Sequence, residues 1–244
     1  MPRLTGPSVW TPVVALLVAF APVPLQGVTV SGRVLVISRA KKPDNSPAVV
    51  WLTPMSVTPA PARASDAPHP PFRLVQKHKQ FQPHLLVVPI GAVVEFPNLD
   101  PLFHNVFSLF DGERFDLGLY EAGSTRTVRF DRPGICYIFC NIHPAMSAVI
   151  IVMKTPYYGV SNLAGEISVP DVPPGRYRLE VWREGTLPEE LKNLSREITV
   201  SPDSSFLGTL HFDDSGRNIL AHKNKYGRDY DEPASPNPLY EYPR

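Results

Sequence analysis

"GICYIFCNIHPAMSAVIIV", residues 134–152, holds both cysteines, one of seven histidines and one of four methionines in a chain of 244 residues. Two runs rich in β-branched and aromatic residues, "ICYIFC" and "SAVIIV", flank the short segment "NIHPAM" and read as strands joined by a loop. Cys136, Cys140, His143 and Met146 then fall within eleven residues as either core residues with a disulfide or metal ligands. A disulfide fits poorly. Four extended residues span roughly 13 Å, whereas bridged Cα atoms lie within about 7 Å. The ligand reading places a thiolate, an imidazole and a thioether on one loop. Soft sulfur with imidazole suits copper, and a plane of two histidines and one cysteine with a weak axial methionine is an electron-transfer geometry. Such a site needs a second histidine from a distant strand. "NLDPLFHNVFSL", residues 98–109, offers His104 at the start of an apolar run.

Working outward, residues 72–153 break into short apolar runs separated by Gly, Pro, Asn and Asp, about seven strands in eighty residues. "VTVSGRVLVIS" and "AVVWLTP" read as two earlier strands, and the segments from "YYGVSN" to "LGTLHFD" as five later ones. The one helix candidate is "LPEELKNLSRE", residues 187–197. The class is all-β, with two β-sandwiches. Residues 55–71 are a Pro/Ala-rich linker, and residues 214–244 form a Pro- and Tyr-rich tail expected to be disordered apart from tyrosines that dock on the body. Arg3 ahead of "VVALLVAFAPV" marks residues 1–27 as an export signal, cleaved in the main reading and an uncleaved anchor in the alternative. The mature chain is therefore expected in the periplasm or secreted, without stable membrane insertion. A formal net charge of +1 and the lack of a basic stripe argue against nucleic-acid binding.

"FPNLDPLFHNV" followed by "GICYIFCNIHPAM" resembles the cupredoxins, the plastocyanin and amicyanin family, over residues 72–153. The spacing Cys-x-x-His-Pro-x-Met is similar to amicyanin's short ligand loop. The resemblance implies a Greek-key β-sandwich and one mononuclear type 1 copper site, with His104, Cys140, His143 and Met146 as ligands. It implies for Asn105 a hydrogen bond near the cysteine loop that holds the two ligand segments together. Cys136 departs from the pattern. Four residues before Cys140 it shares that residue's face of the strand, so it reads as a buried free thiol, with a two-copper site resembling that of cytochrome oxidase subunit II as the alternative. The histidines at 69, 78, 84, 211 and 222 have no partner at ligand spacing.

"GVSNLAGEISVPDVPPGRYRLEVW", residues 159–182, resembles the carboxypeptidase-regulatory-like, transthyretin-like sandwich. That family's first two strands match residues 28–54, so the copper domain reads as an insertion, with residues 154–213 completing the outer sandwich; the alternative gives the first two strands to the cupredoxin sheet. Functionally the resemblance implies an exported one-electron carrier, not an enzyme. A dehydrogenase or cytochrome would dock on an apolar patch of His143, Pro144, Ala145, Leu102 and Phe103. The alternative is a periplasmic protein that holds Cu(I) without transferring electrons. No nucleophile motif or additional His-x-His pair supports a hydrolase or copper oxidase.

Overall fold

The computed structural model describes residues 27–38, 46–56, 71–109, 113–214 and 222–230. Residues 1–26 of the proposed signal, residues 57–70 of the linker, and residues 215–221 and 231–244 of the tail lie beyond them. Strands β1 (Val28–Ser38) and β2 (Ala48–Pro54) come first. Then follow β3 (Phe72–Arg73), β4 (Val75–Lys77), β5 (Gln80–Gln82), β6 (Leu85–Pro89) and β7 (Ala92–Pro97). After these come β8 (His104–Ser108), β9 (Phe115–Tyr120), β10 (Thr125–Phe130), β11 (Gly134–Cys140) and β12 (His143–Met153). The chain continues through β13 (Tyr158–Val160), β14 (Glu166–Val172), β15 (Gly175–Arg183), α1 (Pro188–Leu194), β16 (Arg196–Val200) and β17 (Phe206–Asp214).

The fold is all-β with one short helix. Residues 72–153 make ten strands instead of about seven. The extra ones arise because the run from Phe72 breaks at Leu74 and again at a two-residue turn, and the run from Leu85 breaks at Ile90–Gly91. The first of those turns is His78–Lys79, both at positive φ (58 and 55), the conformation that matches the right-handed twist of a tight hairpin.

Four larger sheets stack as layers. The order β10-β7-β3 faces β6-β12-β11-β8-β9 across a core that includes Phe96, Val106, Tyr120, Ile138, Cys140, Met146 and Ile150. The order β14-β1-β17 faces β13-β2-β15-β16 across a second core with Val50, Leu52, Val169, Leu179 and Phe212. Strands β1 and β2 pair with β14, β17, β13 and β15, so the chain leaves this second pair of sheets after β2 and re-enters it at β13.

The two inner sheets also pack on each other. Val49, Phe107, Phe139, Val149, Ile151, Met153 and Trp182 form a third cluster between them, with Trp51 and Tyr137 at its edge. On β12, Ala148, Ile150 and Val152 face one core while Val149, Ile151 and Met153 face the other. Double-sided burial explains why "AVIIVM" is continuously apolar, since alternation is needed only where one face meets water. At the edge, His84 Nε2 meets Glu184 Oε2 at 2.6 Å, tying the approach to β6 to the end of β15.

Candidate metal centre

The ligand loop is a local distortion of the β11–β12 ladder. Phe139 pairs with Ser147 and Cys140 with His143, so Pro144, Ala145 and Met146 are extra residues on β12 with no counterpart on β11. A bulge of this kind re-aims side chains at a sheet's end. Asn141 and Ile142 make the turn. Cys140 also pairs with Val106 of β8, which sets His104, the first residue of β8, beside the cysteine.

Three donor atoms converge there. Cys140 Sγ lies 3.6 Å from His104 Nδ1 and 3.5 Å from His143 Nδ1, and the two nitrogens are 3.1 Å apart. A point in the plane of this triangle sits about 2.0 Å from all three atoms, near ordinary metal–imidazole and metal–thiolate bond lengths. Among the described residues these form the one group of three or more His, Cys, Asp or Glu side chains close enough to hold a metal ion. The donor set is soft and nitrogen-containing, and it fits copper. Met146 is buried in the same core as Cys140, three residues beyond His143.

The electrostatics favour unprotonated imidazoles. Burial lowers the pKa of His104 despite the hydrogen bond to Asp100, which pulls the other way. Burial lowers His143 to about 4, assisted by the charges of His104 and Lys79. Burial pushes the Cys140 thiol up, while backbone N–H groups of Asn105, Ile142 and His143 pull it down less strongly. The metal-free site at pH 7 thus holds two neutral rings and a thiol.

A pH dependence of stability follows. His143 binds a proton near pH 6.5 when unfolded but only near 4 when folded, so its contribution is complete above pH 6.5 and is lost as pH falls through 4. After allowance for solvent screening of the partly exposed ring, the loss is about 2 kcal/mol. Urea unfolding of the metal-free chain at pH 7.5 and pH 4 measures it, and His143→Gln should flatten the difference.

Sequence reasoning missed Asp100. Its Oδ2 accepts from His104 Nε2 at 2.8 Å and from the Lys79 backbone N–H at 2.9 Å, and its Oδ1 accepts from the His78 N–H at 2.5 Å. Asp100 is 2% exposed and His104 fully buried. A carboxylate on Nε2 fixes the proton there and leaves Nδ1 free as a donor to metal. The left-handed turn of His78 and Lys79 thus supplies two of the three donors that position Asp100. The spacing Asp100-x-x-x-His104 was the available signal in the sequence.

Asn105 makes its hydrogen bond to the cysteine loop through its backbone. Its side-chain amide donates to Asp116 Oδ1 at 2.6 Å instead of to the cysteine loop, and its backbone carbonyl accepts the Asn141 N–H at 2.9 Å. The backbone makes the link because β8 and β11 are adjacent strands, and the side chain turns towards β9. Leu102 does not belong to an exposed patch. It is 9% exposed, and its carbonyl is held by Asn98 Nδ2 at 2.7 Å, which draws the turn inward. Phe103, Pro144 and Ala145 are exposed, as are Leu99 and Ile142. Cys136 is buried, unbridged and outside the donor triangle, with its thiol pushed up to about 11 by burial. His222, which has no partner at ligand spacing in the sequence, stacks on Phe139 at 3.8 Å between ring centroids. Among the described residues no helix is long and apolar enough to cross a membrane.

No protein-family model and no curated protein matches the chain. Several solved structures are similar to part of it. The Cu-containing nitrite reductase from Thermus scotoductus is 25% identical over 36% of this chain, with a TM-score of 0.34. This chain spans only 23% of that protein's length. A purple cupredoxin from Nitrosopumilus maritimus is 20% identical over 34% of this chain and 99% of its own, with a TM-score of 0.31. An oxidised amicyanin variant is 14% identical over 43% of this chain and 98% of its own, at 0.33.

Proposed function

We propose that the chain is an exported copper protein in which His104, Cys140 and His143 hold one copper ion, Met146 supplies a weak fourth contact, and single electrons are exchanged with a partner protein. The observation that carries this reading is the donor triangle, whose centre lies about 2.0 Å from two imidazole nitrogens and a cysteine sulfur. When bound, copper supplies a one-electron couple. The protein's own part is to hold the ligands still. His104 is fixed by Asp100, Cys140 by β8 and β11, and His143 by the β11–β12 turn. Rigid support of this kind limits ligand rearrangement between oxidation states.

The half-exposed edge of His143, with Phe103, Pro144, Ala145, Leu99 and Ile142, is the proposed docking surface for a dehydrogenase or cytochrome. With a net charge of +1, apolar contact should matter more there than long-range steering. The second pair of sheets, built from residues 28–54 and 154–213, is proposed as a carboxypeptidase-regulatory-like carrier into which the copper domain is inserted.

Titration of the purified mature chain with Cu(II), followed by absorption, EPR and proton release, tests this reading. We expect an intense blue band, a narrow copper hyperfine splitting, one copper per chain and about one proton released per copper at pH 7, because only the thiol must ionise. Cys136→Ala should leave the stoichiometry at one. Two coppers with a mixed-valence signal would replace the mononuclear site by a dinuclear one. A colourless chain that binds only Cu(I) would replace electron transfer by copper holding.

A further inference from the structure

Residues 222–230 form no helix or strand, and none of them belongs to the three hydrophobic clusters. The segment nevertheless makes directed contacts with residues that adjoin the donor atoms. The Lys225 backbone N–H donates to Asn141 Oδ1 at 2.9 Å, and Lys225 Nζ meets Asp116 Oδ2 at 2.7 Å. Tyr230 donates its hydroxyl to the backbone carbonyl of Cys140 at 2.9 Å. His222 Nε2 lies 2.7 Å from that same hydroxyl, while its ring stacks on Phe139, the residue before Cys140.

These contacts close a ring. Lys225 holds Asn141 and Asp116; Asp116 holds the side chain of Asn105; and Asn105 accepts the Asn141 N–H through its backbone carbonyl. Asn105 follows His104 and Asn141 follows Cys140, so the ring joins the two segments that carry the donor atoms. The Lys225–Asp116 pair is partly exposed and contributes little by itself. Its effect comes from completing a network that ties Asn141, in the turn, to Asp116 on β9 and the buried Asn105 on β8.

We propose that residues 222–230 are a strap, with Lys225 and Tyr230 as positioning residues, that holds the Cys140–Met146 loop against β8 so that the metal pocket is already formed in the metal-free chain. The value of that positioning for copper rests on the function proposed above; the hold on the loop does not. A preformed pocket does not spend binding energy on ordering its loop, and it restrains the ligands when the ion's charge changes.

Hydrogen–deuterium exchange on the full chain tests the strap without metal. In metal-free Tyr230→Phe/Lys225→Met, exchange at the Asn141 amide and through residues 140–146 should rise about tenfold, while β14 and β17 keep wild-type protection. Lys225→Arg, which retains the cation opposite Asp116, should restore most of the protection that Lys225→Met alone removes. In the copper-loaded chain, removal of the ion by a chelator should be about tenfold faster in the double variant. Wild-type protection of the loop in the metal-free double variant would overturn the proposal, as would a loss of protection spread evenly over all strands. The localised rise in the double variant, together with a wild-type chain that binds no copper, would support the strap and remove the copper reading.

Discussion

Cys140→Ser is expected to abolish the intense visible band and to lower copper affinity by at least a hundredfold. The sulfur is the only thiol in the donor triangle, and the blue spectrum belongs to the copper–thiolate bond. A serine hydroxyl does not ionise in this range, and Cys140 and His104 are both fully buried. Its oxygen would also stand closer to the backbone than the sulfur does, so the point equidistant from all three donors shifts. The N–H groups of Asn105, Ile142 and His143 that favour a thiolate would face a neutral hydroxyl. Absorption and EPR spectra with competitive copper titration measure the effect. Retention of the blue band and of one tightly bound copper would remove Cys140 from the ligand set.

Asp100→Asn is the second large effect, and it tests a residue that touches no metal. The carboxylate accepts three hydrogen bonds, from His78 N–H, Lys79 N–H and His104 Nε2. An amide of the same shape has one oxygen, so its NH₂ must face either the His78 N–H or the Lys79 N–H and the imidazole together. Facing a backbone N–H, it leaves a buried donor unsatisfied, at about 1–3 kcal/mol. Facing His104, it draws the proton from Nε2 to Nδ1, the atom that points into the donor triangle. We expect a melting temperature lowered accordingly and copper affinity reduced ten- to a hundredfold. Loss of a buried negative charge beside the site also disfavours the more highly charged oxidised ion. Each tenfold change in relative affinity for the two oxidation states raises the potential by about 59 mV. Calorimetry, copper titration and voltammetry together separate these effects. A variant with wild-type affinity, potential and stability would show that Asp100 does not position His104.

Much of this was legible in one dimension. β-branched runs broken at short intervals by Gly, Pro and Asn set the all-β class, and β1, β2 and β11 fall where the patterns place them. Cys140 and His143 could be paired from the sequence because only a short turn separates them. His104 could be named because its strand-start position follows a Pro-containing loop, yet its distance to the sulfur exists only because β8 lies beside β11. The apolar run in β12 could be read as a strand, but its burial on both faces was decided by β2 and β15 packing across the second one.

What the tertiary structure alone decided is mostly polar. Periodicity in a sequence reports which residues leave water; it carries no information about which buried donor meets which acceptor. Asp100 finds its partners in a hairpin about twenty residues upstream, and Tyr230 finds the Cys140 carbonyl ninety residues away. Asn105 links to the turn after Cys140 through its backbone, while its side chain goes to Asp116 on the neighbouring strand. The sequence by itself determined the strands and the donor types, because burial and ligand chemistry are properties of single residues and short patterns. The supports that hold those donors were decided by the fold, because a hydrogen bond depends on the position and direction of two groups that only the folded chain brings together.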